Sequence, residues 1–244
     1  MTISNVLFPV AGKGRRLGAI GRKTPKCLLR VGGEPLLAYL LRIFRRARVT
    51  RACLVVKHQA ARIPACFGDS YAGLALSYVH DVGGGGSAYA LRNAAPLLRG
   101  EPFFMCDGDI LFHPSLPVAL RDRMATSTAD GVLTFGRPPA IAPTHKSALA
   151  FQHALRTTAR QLQVPVAEYV LMGVNVLGDA ILDALAGLPR IPSREVSTSD
   201  LLLATMDERS YVWAFYDGPW WHLAYARDFA TLLKLIDELE LPAS

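Results

Sequence analysis

Cysteine is scarce and unpatterned in this chain. Cys27, Cys53, Cys66 and Cys106 form no CxxC pair and show no metal-ligand spacing. That excludes a zinc module and a disulfide framework. Two of the four fall in apolar stretches, RACLVV and FFMCDGD, as expected of buried reduced thiols in a reducing compartment. Long apolar runs are missing too: none reaches the ~18 residues of a membrane span. The opening MTISNVLFPVAG lacks the basic start and the length of a signal peptide. A cytoplasmic protein without a membrane partner is therefore expected. Internal repeats, low-complexity tracts and a clear linker are absent. Acids are missing from one place in particular. Between Lys13 and Lys26 stand six basic residues, Lys13, Arg15, Arg16, Arg22, Lys23 and Lys26, and no acid.

What is present is an ordinary globular composition: 244 residues, 51% hydrophobic and 19% charged, enough for one α/β domain with a sizeable core. The net charge of +7 favours anionic ligands. Nucleic-acid binders interleave aromatics for stacking. Neither the Lys13–Lys26 group nor a second group, Arg42, Arg45, Arg46 and Arg48, contains one beyond Phe44. Nucleic acid is thus not the expected partner, and the second group reads as a solvated helix face.

Apolar runs of strand length alternate with helix-period segments. ISNVLFPV, ACLVVK, LALSYVH and PFFMCD read as strands. EPLLAYLLRIFRRA, with Pro35 suited to its first turn, and SAYALRNAAPLL read as helices. The second half is less regular. DGVLTF, SALAFQ, EYVLMGVNVL and SYVWAFY look like strands; GDAILDALAGL, STSDLLLATM and ARDFATLLKLIDELEL look helical; residues 137–146 are proline-rich and read as a loop. Near-continuous apolar strands between helices indicate an α/β, Rossmann-like fold, a mostly parallel mixed sheet flanked by helices. A single domain over 1–244 is expected, in two parts, 1–135 and 136–244, the second with a closing helix and a small irregular sub-lobe.

The segment PVAGKGRRLGAIGRKTPKCLLRVGGEPL follows the first strand. Gly12 and Gly14 permit tight turns and close backbone approach, so successive N–H groups can face one anion. Arg15, Arg16 and Lys26 add charge suited to a polyphosphate. A Walker A loop does not fit, and G-x-G-x-x-G fails because Leu17 holds the third glycine position. Gly18, Gly21 and Pro25 are expected to prolong the loop where those motifs would start a helix.

These stretches, AGKGRRL, TPKCLLRV and GGEPLLAYLL, in that order and spacing, resemble the signature of the nucleotidylyltransferase superfamily that activates sugar phosphates and related compounds, which has a GT-A-type fold. The resemblance is specific over Pro9–Leu41 and weaker over nearly the whole chain. It implies transfer of NMP from a nucleoside triphosphate to a phosphorylated small-molecule acceptor, with release of pyrophosphate. By the same resemblance Ala11, Gly12, Gly14 and Arg15 would meet the nucleotide, Arg16 the β- and γ-phosphates, and Lys26 the α-phosphate and the acceptor. GGGGSAYAL is similar to the family's turn against the base, which implicates Gly86, Ser87 and Ala88. FFMCDGDILF is similar to its metal-presenting strand end, which implies that Asp109 holds Mg²⁺, with Mn²⁺ an alternative. Asp107 falls at a position read as nucleotide-binding and structural. LMGVNVLGDAILDAL resembles the family's strand and helix under the acceptor pocket, which implicates Gly173 and Asn175.

Two departures stand out. DGPWWHLAYARD matches the family's closing motif through Asp217, Gly218, Trp220 and Asp228, but His222 holds the second metal ligand's place and Tyr225 that of a threonine. Three readings of His222 stay open: a metal ligand, a direct phosphate donor, or a packing residue beside Trp220 and Trp221. TARQLQVPVAEYVLMG also lacks the acceptor-gripping lysine of an E-K-P segment, leaving Lys146 or Arg160 as substitutes. The alternatives are a cytidylyltransferase for a non-sugar acceptor (phosphocholine, inositol phosphate or a phosphonate) and a catalytically silent nucleotide-sugar-binding regulator. Homo-oligomer formation is left open.

Overall fold

The computed structural model describes residues 2–82, 85–137, 169–188 and 195–241. The proline-rich stretch beyond Arg137, the expected strand SALAFQ, and Lys146 and Arg160 lie outside the described residues. Strand β1 (Asn5–Pro9) leads into the basic segment, which carries a 3-10 turn at Arg15–Leu17 and a short helix α1 (Ala19–Lys23). The expectation of an uninterrupted loop is corrected here. Thr24 N–H closes on Ile20 O, and Pro25, which has no N–H to donate, ends the turn. A second 3-10 turn, Lys26–Leu28, precedes the small hairpin of β2 (Arg30–Val31) and β3 (Glu34–Pro35).

Helix α2 (Leu36–Arg46) begins one residue later than expected, because Pro35 is extended (φ −56, ψ 137) and stands before the first turn. Its apolar residues, from Leu36 to Leu41 with Ile43 and Phe44, are buried. The helix ends where Arg48 turns left-handed (φ 65) and Val49 N–H reaches back to Phe44 O, 3.1 Å, a Schellman closure. Arg45, Arg46 and Arg48 are exposed as expected. Arg42 is not: it is half-buried, pairs with Glu34 Oε2 at 2.5 Å and lies over the Tyr39 ring.

The remaining elements are β4 (Arg51–Val56), α3 (Arg62–Phe67), β5 (Ser70–Tyr71), β6 (Leu74–His80), α4 (Ser87–Leu98), β7 (Phe103–Cys106), β8 (Ile110–Phe112), α5 (Ser115–Ala125), β9 (Gly131–Gly136), β10 (Val170–Leu171), β11 (Val174–Leu177), α6 (Ala180–Ala184), α7 (Thr198–Thr205), β12 (Tyr211–Tyr216), β13 (Trp220–His222) and α8 (Asp228–Glu238). The main sheet runs β10-β9-β11-β7-β1-β4-β6-β5, with β12 also paired to β9. β7, β1, β4 and β6 are mutually parallel; β11 enters antiparallel against β7.

Alternation along β1 serves both faces of the sheet. Val6 and Phe8 join one core with Phe44, Phe104 and Phe112, and Leu7 joins another with Val55, Leu91 and Met105. Each face therefore buries its own apolar layer, which is why the strands read as near-continuous hydrophobic runs. From β1 the chain moves outward to β4 and β6, then returns through α4 to β7 on the other side of β1. The crevice between the carboxyl ends of β1 and β7 is thus a topological switch point, the usual ligand position in such sheets.

Candidate active site

Two segments meet at that crevice. After β1, Leu17 is buried and anchors the basic segment, while Arg15 and Arg16 stand exposed. The segment folds back on itself tightly. Gly14 is left-handed (φ 58), and a Cβ on Gly21 would overlap Gly14 O, so Gly21 is set by close backbone approach. Gly12 lies in open space and Ala11 is half-buried. Lys26, fixed just after Pro25, turns its ammonium onto Asp109 Oδ2.

Asp109 comes from the second segment, the Asp107-Gly108-Asp109 corner between β7 and β8. Gly108 sits against Val10 so closely that a Cβ would strike the Val10 side chain. The glycine lets the corner fit against the end of β1. Asp107 N–H donates to Gly173 O at 2.6 Å, and a Cβ on Gly173 would overlap the Asp107 carboxylate. Gly173 therefore makes room for Asp107. Asn175, expected under the acceptor pocket, is buried in the sheet. It accepts from Thr134 N–H (2.9 Å) and donates to Met172 O (3.1 Å), filling the gap where the expected strand over 168–177 splits into β10 and β11.

The third contributor is β13. Its antiparallel ladder with β8 pairs His222 with Ile110, and Leu223 N–H donates to Asp109 O at 2.8 Å. His222 Nδ1 consequently lies 3.3 Å from Asp109 Oδ1, its ring edge-on to Trp220 at 5.7 Å. Asp107, Asp109 and His222 each offer a ligand atom within 4.8 Å of the others, a set able to hold a metal ion. Asp107 is the member that sequence reasoning placed in a nucleotide-binding and structural role; its two-residue spacing from Asp109 was the available signal.

The electrostatics follow from this crowding. Burial, then the nearby Asp109 charge, pushes the Asp107 carboxyl up to about 6. Burial would raise Asp109 as well, but the Lys26 charge and the His222 hydrogen bond and charge outweigh it and hold Asp109 well below the usual carboxylate range. No hydrogen bond reaches the Asp107 carboxylate among the described residues. A cation between the three donors would supply that missing partner, so the residues present fit a divalent ion.

The turn expected to approach the base is engaged with its own protein. Gly86 (φ 98) packs on Val196, and Ser87 Oγ accepts from Thr198 N–H at 2.8 Å and from Thr198 Oγ1 at 2.9 Å. Ser87 therefore ties α4 to the start of α7. In the closing motif, Asp228 Oδ2 accepts from Ala224 N–H (2.7 Å) and Tyr225 N–H (2.6 Å), securing the entry to α8. Asp217 pairs with Arg137 Nε (2.9 Å) and accepts from Tyr169 OH (2.7 Å), a link that sequence reasoning did not foresee.

A basic glycine-shaped segment thus meets a carboxylate–imidazole cluster at the switch point of a largely parallel α/β sheet. Residues 7–170 match the MobA-like NTP transferase domain, and the chain belongs to that family. It is 35% identical over 105 residues (41% of this chain, 45% of the relative) to N-acetylmuramate alpha-1-phosphate uridylyltransferase of Neisseria meningitidis serogroup B. It is 30% identical over 226 residues (87% and 58%) to mannose-1-phosphate guanylyltransferase of Mycobacterium tuberculosis. The chain thus spans about half the length of these two curated relatives. In fold it superposes on the inositol-1-phosphate CTP transferase from T. maritima with a TM-score of 0.79 at 17% identity, covering 100% of this chain and 99% of the other. No described helix is long and apolar enough to cross a membrane.

Proposed function

We propose that the protein transfers a nucleotidyl group from a nucleoside triphosphate to a phosphorylated small-molecule acceptor, a sugar 1-phosphate or a compound of similar chemistry, and releases pyrophosphate. The observation that carries this reading is the contact between Lys26 and Asp109, which joins the basic segment after β1 to the carboxylate corner after β7. An acceptor oxygen attacks the α-phosphorus in line with the departing pyrophosphate. Such chemistry depends on positioning and on neutralising charge more than on a covalent intermediate. The N–H groups of Gly12–Gly14 and the side chains of Arg15 and Arg16 hold the β- and γ-phosphates. Lys26 leaves Asp109 for the α-phosphate and acceptor as negative charge gathers there. Asp107, Asp109 and His222 would hold a divalent cation, Mg²⁺ or Mn²⁺, whose charge offsets that of the phosphate oxygens. The imidazole suits Mn²⁺ better than Mg²⁺.

The supporting particulars are the family and the two nucleotidylyltransferase relatives. All four thiols are free, which suits a reducing cytoplasm. The test is pyrophosphate release with each of four triphosphates, with Mg²⁺ or Mn²⁺. The acceptor panel runs from sugar 1-phosphates to phosphocholine, inositol phosphate and a phosphonate. Turnover of one pair supports the reading; tight triphosphate binding without turnover of any pair would favour a regulatory nucleotide-binding role.

A further inference from the structure

The basic segment is braced from behind by residues that neither the family signature nor the proposed chemistry uses. β4 ends at Val56, and the chain turns through Lys57 to Ala61 into α3. At the centre of this corner Gln59 is left-handed (φ 52), a conformation that non-glycine side chains adopt rarely. Its amide is fully engaged. Gln59 Nε2 donates to Arg22 O at 2.7 Å and lies 3.3 Å from His58 Nε2, and Gln59 Oε1 accepts from Arg62 Nη1 at 2.9 Å. The same Arg62 nitrogen donates to Lys23 O. Arg22 O and Lys23 O are end carbonyls of α1, which the helix itself leaves without partners.

We propose that Gln59 and Arg62 are positioning residues that clamp the second limb of the basic segment and thereby set Lys26. Lys26 follows Lys23 by three residues, and Pro25 (φ −50) stiffens the connection. The middle of α1 is fixed by the contact of Gly14 with Gly21. A five-residue helix held only by its own hydrogen bonds is unstable in water, so side chains from the β4–α3 corner supply what α1 lacks. The left-handed Gln59 is consistent with this: the corner is bent so that one amide can meet both Arg22 O and the Arg62 guanidinium. With the clamp in place, Arg15, Arg16 and Lys26 are presented as one preformed anion-binding surface. Without it, a triphosphate must order the segment as it binds, which appears as weaker binding.

The functional half of this inference rests on the reading above; the structural half does not. Gln59→Gly removes the amide while glycine accepts the left-handed backbone freely, so its melting temperature should stay near wild type. Arg62→Met removes the guanidinium, and Arg62→Lys restores a donor that can bridge the two oxygens. Trypsin cleaves after arginine and lysine, so its cleavage after Arg22 and Lys23 reads the clamp directly. The expected result is cleavage at least about fivefold faster in Q59G and R62M, the effect of losing one or two hydrogen bonds from the closed form. R62K should cleave at close to the wild-type rate. The triphosphate KM should rise in Q59G and R62M while kcat and the acceptor KM change less. Cleavage at wild-type rates in both variants, or faster cleavage with an unchanged triphosphate KM, overturns the proposal. Absence of turnover in the wild type would count against the proposed function, while the cleavage rates still decide on the clamp.

Discussion

His222 Nδ1 stands 3.3 Å from Asp109 Oδ1, and the pairing of Trp220–His222 with Ile110–Phe112 sets that distance. Of the three roles open to His222, that of a metal ligand suits its place beside Asp107 and a carboxylate that Lys26 also touches. An imidazole there replaces a hard oxygen donor with a nitrogen, which shifts preference from Mg²⁺ towards Mn²⁺ and other borderline cations.

His222→Asp should therefore reverse the preference. Titration of Mn²⁺ followed by electron paramagnetic resonance should show nitrogen coupling in the wild type and none in H222D, with Mg²⁺ competing better in the variant. His222→Ala should lower Mn²⁺ affinity by at least about tenfold, since even residues that only support metal ligands have effects of that size. A spectrum without nitrogen coupling in the wild type would remove His222 from the metal site.

Asp107 is a partly buried carboxylate with a second carboxylate beside it and no hydrogen bond to offset its charge among the described residues. Neutralising it should relieve the metal-free protein. Asp107→Asn is expected to raise Tm by at least about 2–4 °C, the shift that 1 kcal/mol produces in a domain of this size. It should also weaken divalent-cation binding. Differential scanning calorimetry with and without Mn²⁺ measures both. A lower Tm in the metal-free variant would show that Asp107 has a structural partner of its own.

The thiols should divide cleanly. Cys66 is exposed, whereas Cys27, Cys53 and Cys106 are buried. Burial pushes the Cys27 and Cys53 thiols up to about 12 and raises Cys106 well above the ordinary range. Alkylation requires the thiolate, so raising the pH from 7 to 9 should leave these three protonated and unmodified. Mass spectrometry after iodoacetamide should find native protein labelled at Cys66 alone, and all four sites labelled after unfolding. Labelling of Cys27 in the native state would mean that the turn carrying Lys26 opens readily.

The features legible in the sequence were those that depend on local pattern. β1, β4, β6, β7 and α2 announced themselves through apolar runs and period. The basic segment and the Asp-Gly-Asp corner announced themselves through glycine and charge at fixed spacing. The unforeseen features depend on contacts distant in the chain. β8 and β13 are three residues each and exist because they pair with one another. The 168–177 run is broken at Met172 and Gly173 because the Asn175 amide takes over hydrogen bonds there and Asp107 needs space above Gly173. Helix α1 was hidden by Gly18 before it and Gly21 within it, the latter packed on Gly14 O; its end carbonyls are met by Gln59 and Arg62, some forty residues on. Ser87 looked like a nucleotide contact by its motif, yet Thr198 lies against it.

In the proposed reaction the nucleotidyl group is transferred at the joint between Lys26 and Asp109. The most direct measurement is pyrophosphate release by wild type and Lys26→Ala, on whichever triphosphate and acceptor the wild type turns over, under saturating Mn²⁺ or Mg²⁺. K26A, with a melting curve that shows it folded, should release pyrophosphate about 10²–10³ more slowly, the usual cost of removing one charged contact to a transition state. Release by K26A at close to the wild-type rate would contradict it.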